Sequence, residues 1–206
     1  MQAIRRLILS ATMASAAAAL CGAAFAQGAG ATAMPPPKAV APVVVTLETT
    51  AGPIVLELDA QHAPRTVANF VQYVKDGFYP GTVFHRVIPG FMIQGGGFTA
   101  GGVEKKTRGA IAIESNNGLK NVRGAVAMAR TADPDSAKAQ FFINLVDNPY
   151  LDYPGRDNAG YTVFGKVISG MDAVDRIAAT PTHRGSGAFV NAPVTPMVIE
   201  KARIGN

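Results

Sequence analysis

The fold of this 206-residue chain is most clearly indicated by residues 84–96, which read FHRVIPGFMIQGG. A Pro-Gly pair separates two short β-type runs, and Arg86 and Gln94 stand among large apolar side chains. Strand alternation predicts that Arg86 shares a face with Phe84 and Ile88. An arginine on an apolar face is costly unless its donors are used. We therefore expect either a functional site around this guanidinium or a salt bridge at the rim of a sheet.

A second stretch, QFFIN at 140–144, also mixes polar and aromatic side chains. Alternation puts Phe142 on the same face as Gln140 and Asn144, while its two neighbours face the other way. A phenylalanine on a polar face is found both in pocket walls and as an ordinary exposed aromatic. The pattern alone leaves both interpretations open.

The surrounding sequence consists of short β-type segments, turn signals and two helical patterns. Ala51-Gly52 is short enough to connect a hairpin. Pro64 is suited to a first helical position, apolar residues recur at helical spacing over 67–74, and Gly77 is placed to end the helix. Many short strands without strand-helix alternation indicate a mainly β protein whose antiparallel sheet closes into a barrel. The predicted helices are one beginning at Pro64 and one at Met171–Ala178, and the predicted strands are Val43–Thr50, Pro53–Asp59, Val83–Ile88, Phe91–Gln94, Ile111–Ile113, Val122–Arg130, Gln140–Leu145, Thr162–Ile168 and Met197–Ile204.

The first 26 residues have the three parts of a secretory signal peptide. Arg5-Arg6 precedes an apolar run at 7–20, and Ala24-Phe25-Ala26 supplies the small residues of a cleavage site. The run is shorter than the roughly 20 residues that span a bilayer, so we expect cleavage after Ala26 and no stable membrane insertion. The sequence thus predicts a signal peptide at 1–26, an Ala/Gly/Pro-rich linker at 27–42 and one domain at 43–206, exported to the periplasm.

Composition narrows the classes of partner. The apolar fraction is 48 %, which is enough for a core, and the net charge is +5. The positive charges are scattered, apart from Lys105-Lys106, so the basic stripe of a nucleic-acid-binding protein is missing and we expect no nucleic-acid partner. The single cysteine, Cys21, lies in the predicted signal peptide, which leaves no disulfide framework in the domain.

Covalent and metal chemistry find little support in the sequence. The three histidines, His62, His85 and His183, do not have the spacing of a ligand set, and no GxSxG nucleophile motif is present. We expect no metal and no cofactor. His85 has two interpretations: a buried histidine with one hydrogen bond, or the catalytic group of a secreted hydrolase.

Four segments, in order, resemble the cyclophilin family of peptidyl-prolyl cis-trans isomerases, and in particular its bacterial exported branch. The resemblance extends from Val43 to Ile204. It implies a closed eight-stranded antiparallel β-barrel capped by two α-helices, with a substrate groove on the outer face. The four segments are FHRVIPGFMIQGG at 84–96, GAVAMAR at 124–130, AQFFIN at 139–144 and VFGKV at 163–167.

The resemblance also implies roles for individual residues. It places the catalytic arginine of the family at Arg86. Phe91 and Met92 are adjacent in sequence, so both can line one pocket only if the strand bends after Pro89-Gly90. The implied proline pocket consists of Phe91, Met92, Phe142 and Leu151, and the implied polar contacts to substrate come from Gln94, Gln140 and the main chain at Ala129 and Arg130.

Two further residues of the implied substrate-binding site, Tyr150 and Tyr161, stand at positions that differ from many eukaryotic members. Tyr150 stands where those proteins have a tryptophan, and Tyr161 stands where they have a histidine. Because an indole donor is lost, we expect cyclosporin to bind only weakly.

The resemblance implies that the protein isomerises Xaa-Pro bonds without covalent chemistry. Its partners would be proline-containing peptides and exported proteins that are unfolded or still folding, and we expect a monomer. Two alternatives are a non-enzymatic proline-peptide-binding module or chaperone on the same barrel, and the hydrolase using His85.

Overall fold

The computed structural model describes residues 42–155 and 157–205, and the described chain begins with the predicted hairpin. Strands β1 (Val43–Thr49) and β2 (Gly52–Leu58) pair antiparallel from Val43 opposite Leu58 to Thr49 opposite Gly52. The predicted signal peptide at 1–26 and all of the predicted linker at 27–42 except its last residue lie outside the described residues.

Both predicted helices are confirmed. Helix α1 (Pro64–Lys75) begins at the predicted proline, and Gly77 follows its end with a φ of +62°, a conformation that glycine adopts at little cost. Phe70 is fully buried on the apolar face of α1, as expected of a core residue. Helix α2 (Met171–Ala178) buries Val174 and Ile177.

Eight strands close into one antiparallel barrel, which confirms the predicted architecture. The strands after the hairpin are β3 (Thr82–Ile88), β4 (Met92–Thr99), β5 (Ala125–Met128), β6 (Phe141–Asn144), β7 (Val163–Ser169), β8 (Thr182–Arg184), β9 (Val190–Pro193) and β10 (Val198–Ile204). Around the barrel the order is β1-β10-β3-β4-β6-β5-β7-β2, and every pairing is antiparallel. A separate two-stranded sheet, β8-β9, follows α2.

The predicted strand Ile111–Ile113 was wrong. Only an isolated bridge joins Ile111 to Ala137. The backbone N–H of Ile113 does not join a ladder, because it donates to the carboxylate of Asp135 (2.8 Å) in the 3₁₀ helix Pro134–Ser136. The β8-β9 sheet was not predicted, and the exposed residues of β8 give no alternating apolar signal.

Apolar side chains form two separate clusters on the two faces of the barrel wall. In β6, Phe141 and Ile143 belong to the inner cluster and Phe142 belongs to the outer one, as alternation predicts. The inner cluster also receives the apolar faces of both helices. The outer cluster consists of Met92, Ala125, Ala127, Phe142, Leu151 and Val163, with Ile88, Phe91, Leu119, Ala129 and Tyr161 packed against it.

The predicted side of Phe84 was wrong. Phe84 is fully buried in the inner cluster, whereas Ile88 packs on the outer one and Arg86 lines an outer recess. The pairing of β3 with β4 shifts register between Phe84 and Arg86, and such a bulge reverses the alternation that a regular strand would show. Arg86 therefore lies outside the barrel although its neighbour two residues earlier points in.

Within the described ranges no helix is long and apolar enough to cross a membrane.

Candidate active site

A tight turn between β3 and β4 brings Phe91 and Met92 to the same recess. The N–H of Phe91 donates to the Ile88 carbonyl (3.0 Å), and Gly90 has a φ of +71°. Pro-Gly at the two central positions suits a turn of this kind, because proline fixes its own φ and glycine accepts a positive one. β4 begins only at Met92, so the bend required by the sequence is present.

The recess has a volume of about 130 Å³ and is lined by residues of β3, β4 and β6 and of the segments that follow β3, β5 and β6. This is well below the roughly 300–1,000 Å³ of pockets for drug-sized ligands, so it suits one small ring. Met92, Phe142 and Leu151, each at most 9 % exposed, form its dense apolar part. Every residue that lines it is among those predicted from the sequence: Arg86, Phe91, Met92, Gln94, Ala129, Arg130, Phe142, Leu151 and Tyr161.

The Arg86 guanidinium is held at one side of the recess by a chain of amides. Its Nη1 donates to Gln94 Oε1 (3.4 Å), and Gln94 Nε2 donates to Gln140 Oε1 (3.0 Å). Gln140 lies across β4, where a Cβ at Gly97 would come within 2.5 Å of its Cγ. The glycine therefore makes room for the glutamine that orients Gln94. Gln140 itself does not line the recess but lines a neighbouring one.

The second arginine of the site, Arg130, is fully engaged inside the protein. Its side chain is 3 % exposed and donates to the Gly160 carbonyl from Nε (3.0 Å) and Nη2 (2.8 Å). It also pairs with the Asp157 carboxylate, and this hydrogen bond is the main cause that lowers the pKa of Asp157 to about 2. Its Cζ lies 4.6 Å from the centroid of the Tyr161 ring. Arg130 thus fastens the loop before Tyr161 to the rim of the recess.

The two tyrosines occupy different parts of the site. Tyr161 meets Phe142 edge to face, with ring centroids 5.5 Å apart, and so closes the recess. Tyr150 stacks on Phe91 at 5.9 Å and is 52 % exposed, in a wider cleft that continues from the recess past Asp157. It therefore stands at the rim rather than within the recess.

The main chain at Ala129 is partly used by the fold. The Ala129 N–H donates to the Gln140 carbonyl (3.0 Å), so this N–H is not available to a ligand. Any main-chain contact to a substrate here must come from other groups of the Ala129 and Arg130 peptides.

His85 is not among the residues that line the recess. Its side chain is 1 % exposed and packs against Phe98 at 4.8 Å, and its Nδ1 has no hydrogen-bond partner. Burial lowers the pKa of His85 to about 4, so the ring is neutral at pH 7. Within residues 42–155 and 157–205 there is also no cluster of three or more His, Cys, Asp or Glu side chains that could hold a metal ion.

The sequence did not identify the contacts that fix the rim. Asp157 and Gly160 meet Arg130 across 27 and 30 positions of the chain, respectively. No local pattern marks such a contact, since it depends on how two loops meet. The one available signal was a basic residue, Arg130, two positions after the end of the buried strand β5.

The fold and the site together define a class: a closed β-barrel with a small apolar recess and a held arginine on its outer wall. The model of the family described as "Cyclophilin type peptidyl-prolyl cis-trans isomerase/CLD" matches residues 44–204. The chain belongs to the cyclophilin family and is a peptidyl-prolyl cis-trans isomerase.

Bacterial relatives are similar over most of their length. The chain is 52 % identical over 160 residues to peptidyl-prolyl cis-trans isomerase A of Dickeya dadantii, a match that covers 78 % of this chain and 83 % of the relative. It is 50 % identical over 163 residues to peptidyl-prolyl cis-trans isomerase B of Escherichia coli, covering 78 % of this chain and 99 % of that protein.

A solved structure confirms the fold. The crystal structure of a cyclophilin-type isomerase of Cryptosporidium parvum matches with a TM-score of 0.66 at 26 % identity, over 80 % of this chain and 98 % of that one. A second crystal structure of that protein, described as determined in the presence of the dipeptide Ala-Pro, matches with a TM-score of 0.65 at 26 % identity, over 79 % of this chain and 99 % of that one.

Proposed function

We propose that Arg86 is the catalytic residue of this isomerase and that the outer recess holds the proline ring of the substrate. One observation carries the proposal: the guanidinium, anchored by Gln94 at 3.4 Å, lines the same recess as Phe91, Met92 and Phe142. A fixed donor beside a small apolar recess suits a prolyl bond, because the ring and the imide nitrogen are directly joined.

The barrier that must be lowered is rotation about the imide bond. This barrier is about 18–20 kcal/mol, because the nitrogen shares its lone pair with the carbonyl. At a right-angle twist the sharing is lost, and the nitrogen becomes able to accept a hydrogen bond. A donor at Arg86 then binds the twisted state better than either planar state, which is the condition for acceleration.

The required acceleration is within reach of noncovalent effects. Uncatalysed exchange takes roughly 10–100 s, so turnover in milliseconds needs about 10⁴-fold or more, or about 5–7 kcal/mol. A charge-assisted hydrogen bond, the orientation of the ring and the exclusion of water by Met92, Phe142 and Leu151 together account for an energy of this size.

The natural substrates in this proposal are exported proteins that are still folding. The signal-peptide pattern at 1–26 supports the assignment to the periplasm, and the lack of cysteine after Cys21 is compatible with an oxidising compartment. Cell fractionation followed by N-terminal sequencing tests it: the protein should begin at Gln27 in the periplasmic fraction. A cytoplasmic protein that retains Met1 would contradict it.

The competing function is a binding module that holds proline peptides without turning them over. A protease-coupled assay on an Xaa-Pro tetrapeptide separates the two, since the enzyme accelerates exchange and the module binds without acceleration. The position of Arg86 in the recess, where it donates a hydrogen bond to Gln94, favours the enzyme over the binding module.

A further inference from the structure

Three asparagine side chains form a buried network beneath the outer recess. Asn121 precedes β5, Asn144 ends β6 and Asn148 precedes the turn of 3₁₀ helix at Pro149–Leu151. They are 1 %, 0 % and 3 % exposed, respectively. Buried amides are costly unless they are hydrogen-bonded, so their partners show what the network holds.

The hydrogen bonds of the network run in one direction. Asn144 Nδ2 donates to the Ala125 carbonyl (3.2 Å) and to Asn121 Oδ1 (3.2 Å). Because a backbone carbonyl can only accept, it fixes which end of the Asn144 amide is the donor. Asn144 Oδ1 must then accept, and it does so from Asn148 Nδ2 (2.8 Å). At the other end, Asn121 Nδ2 donates to the Asp152 carboxylate (3.1 Å).

The network ends on the walls of the recess. Asn148 Nδ2 donates to the Phe91 carbonyl (3.1 Å), which also accepts from the Leu145 N–H (3.0 Å). The Asn148 carbonyl accepts from the Leu151 N–H (2.9 Å), and the Leu151 carbonyl accepts from the Tyr161 N–H (2.9 Å). The backbones of Phe91, Leu151 and Tyr161 are therefore connected through Asn148.

We infer that Asn121, Asn144 and Asn148 are positioning residues that set the width of the recess for a proline ring. The inference rests on the proposed role of the recess. Apolar side chains could fill this space without polar atoms to satisfy, and buried polar networks are not in general the most stable solution. The amides add geometric specificity, because each N–H points at one acceptor. The network therefore permits only one relative position of the backbone segments that form the recess walls.

The test compares Asn148→Ala, Asn144→Ala and Asn121→Ala in an isomerase assay and in urea unfolding. Asn144 makes three side-chain hydrogen bonds within the network, so Asn144→Ala should lower the free energy of unfolding most. Of the three asparagine side chains only Asn148 contacts the Phe91 carbonyl, so Asn148→Ala should raise KM most, by about tenfold with kcat within about twofold. Asn121→Ala should raise KM least.

The matched control is Thr82→Val, which removes a buried hydrogen bond from Thr82 Oγ1 to the Tyr79 carbonyl (2.6 Å) far from Phe91 in the fold. It should lower stability and leave KM unchanged. If KM follows the loss of stability across all four variants, or if Asn148→Ala keeps the wild-type KM, the positioning role is wrong. If Asn144→Ala fails to fold, the order of the KM values of Asn148→Ala, Asn121→Ala and Thr82→Val still decides whether the positioning role is right. A wild-type protein with no turnover would instead overturn the proposed function.

Discussion

The inner and outer apolar clusters are built from the same strands, yet they differ in how they are closed. The inner cluster contains Phe141 and receives the apolar faces of both helices, so its central side chains are fully buried. The outer cluster contains Phe142, and no α-helix of the described residues contributes to it; its edge is formed by partly exposed residues such as Phe91 and Tyr161. The difference shows that one face of the wall is sealed and stabilises the fold, while the other stays partly open, as the proposed substrate recess requires.

The largest expected effect is on the free energy of unfolding. It comes from comparing Phe141 and Phe142, which are adjacent in sequence but lie on opposite faces of the barrel wall. Phe141→Ala should lower the free energy of unfolding by about 3–5 kcal/mol, because it empties a sealed core. Phe142→Ala should cost less stability but weaken peptide binding and turnover. Urea unfolding and the isomerase assay on both variants check this. If Phe142→Ala unfolds the protein, the outer cluster is core and the comparison fails.

His85 extends the comparison of the two clusters, because its side chain is buried although it belongs to neither of them. Its pKa is lowered from 6.5 to about 4 by burial, so between these values the unfolded chain binds the proton that the folded chain excludes. Stability is therefore fully present above pH 6.5 and falls as the pH drops toward 4, by on the order of 3 kcal/mol.

His85→Gln removes this titration while keeping a polar side chain. Urea unfolding at pH 4.5 and 7.5 should show a smaller pH dependence in the variant than in the wild type. An identical pH dependence in both proteins would show that His85 is not the titrating group.

A smaller effect is expected from two arginines with similar partners and different burial. Arg130 and Arg176 each donate through Nε and Nη2 to one backbone carbonyl and pair with an aspartate. Arg130 is 3 % exposed at the rim of the outer recess, whereas Arg176 is 55 % exposed on α2. We therefore expect the buried arginine to contribute more than the exposed one to the free energy of unfolding and to KM.

Arg130→Gln should lower the free energy of unfolding by about 1–3 kcal/mol and raise KM several-fold, because the loop before Tyr161 is released. Arg176→Gln should change stability by less than about 1 kcal/mol and leave KM unchanged. Equal effects of the two substitutions would show that the rim does not depend on Arg130.

Much of the fold could be predicted because its signals are local. The Pro64 start and Gly77 stop of α1 and the alternation around Phe142 each depend on a few neighbouring residues. The side of Phe84 could not be predicted, because a bulge depends on how the strand pairs with β4. The residues lining the recess came from the resemblance, whereas the roles of Asn148 and of the Arg130 side chain were missed because Phe91 and Gly160, which they contact, lie 57 and 30 positions away.

The most direct test of the account measures turnover and peptide binding on the same Arg86→Ala protein. The account predicts a fall in kcat of about 10²–10³-fold, since the donor acts on the twisted state, while the dissociation constant of a proline peptide and the free energy of unfolding stay near the wild-type values. Near-normal turnover in a folded Arg86→Ala variant would contradict it.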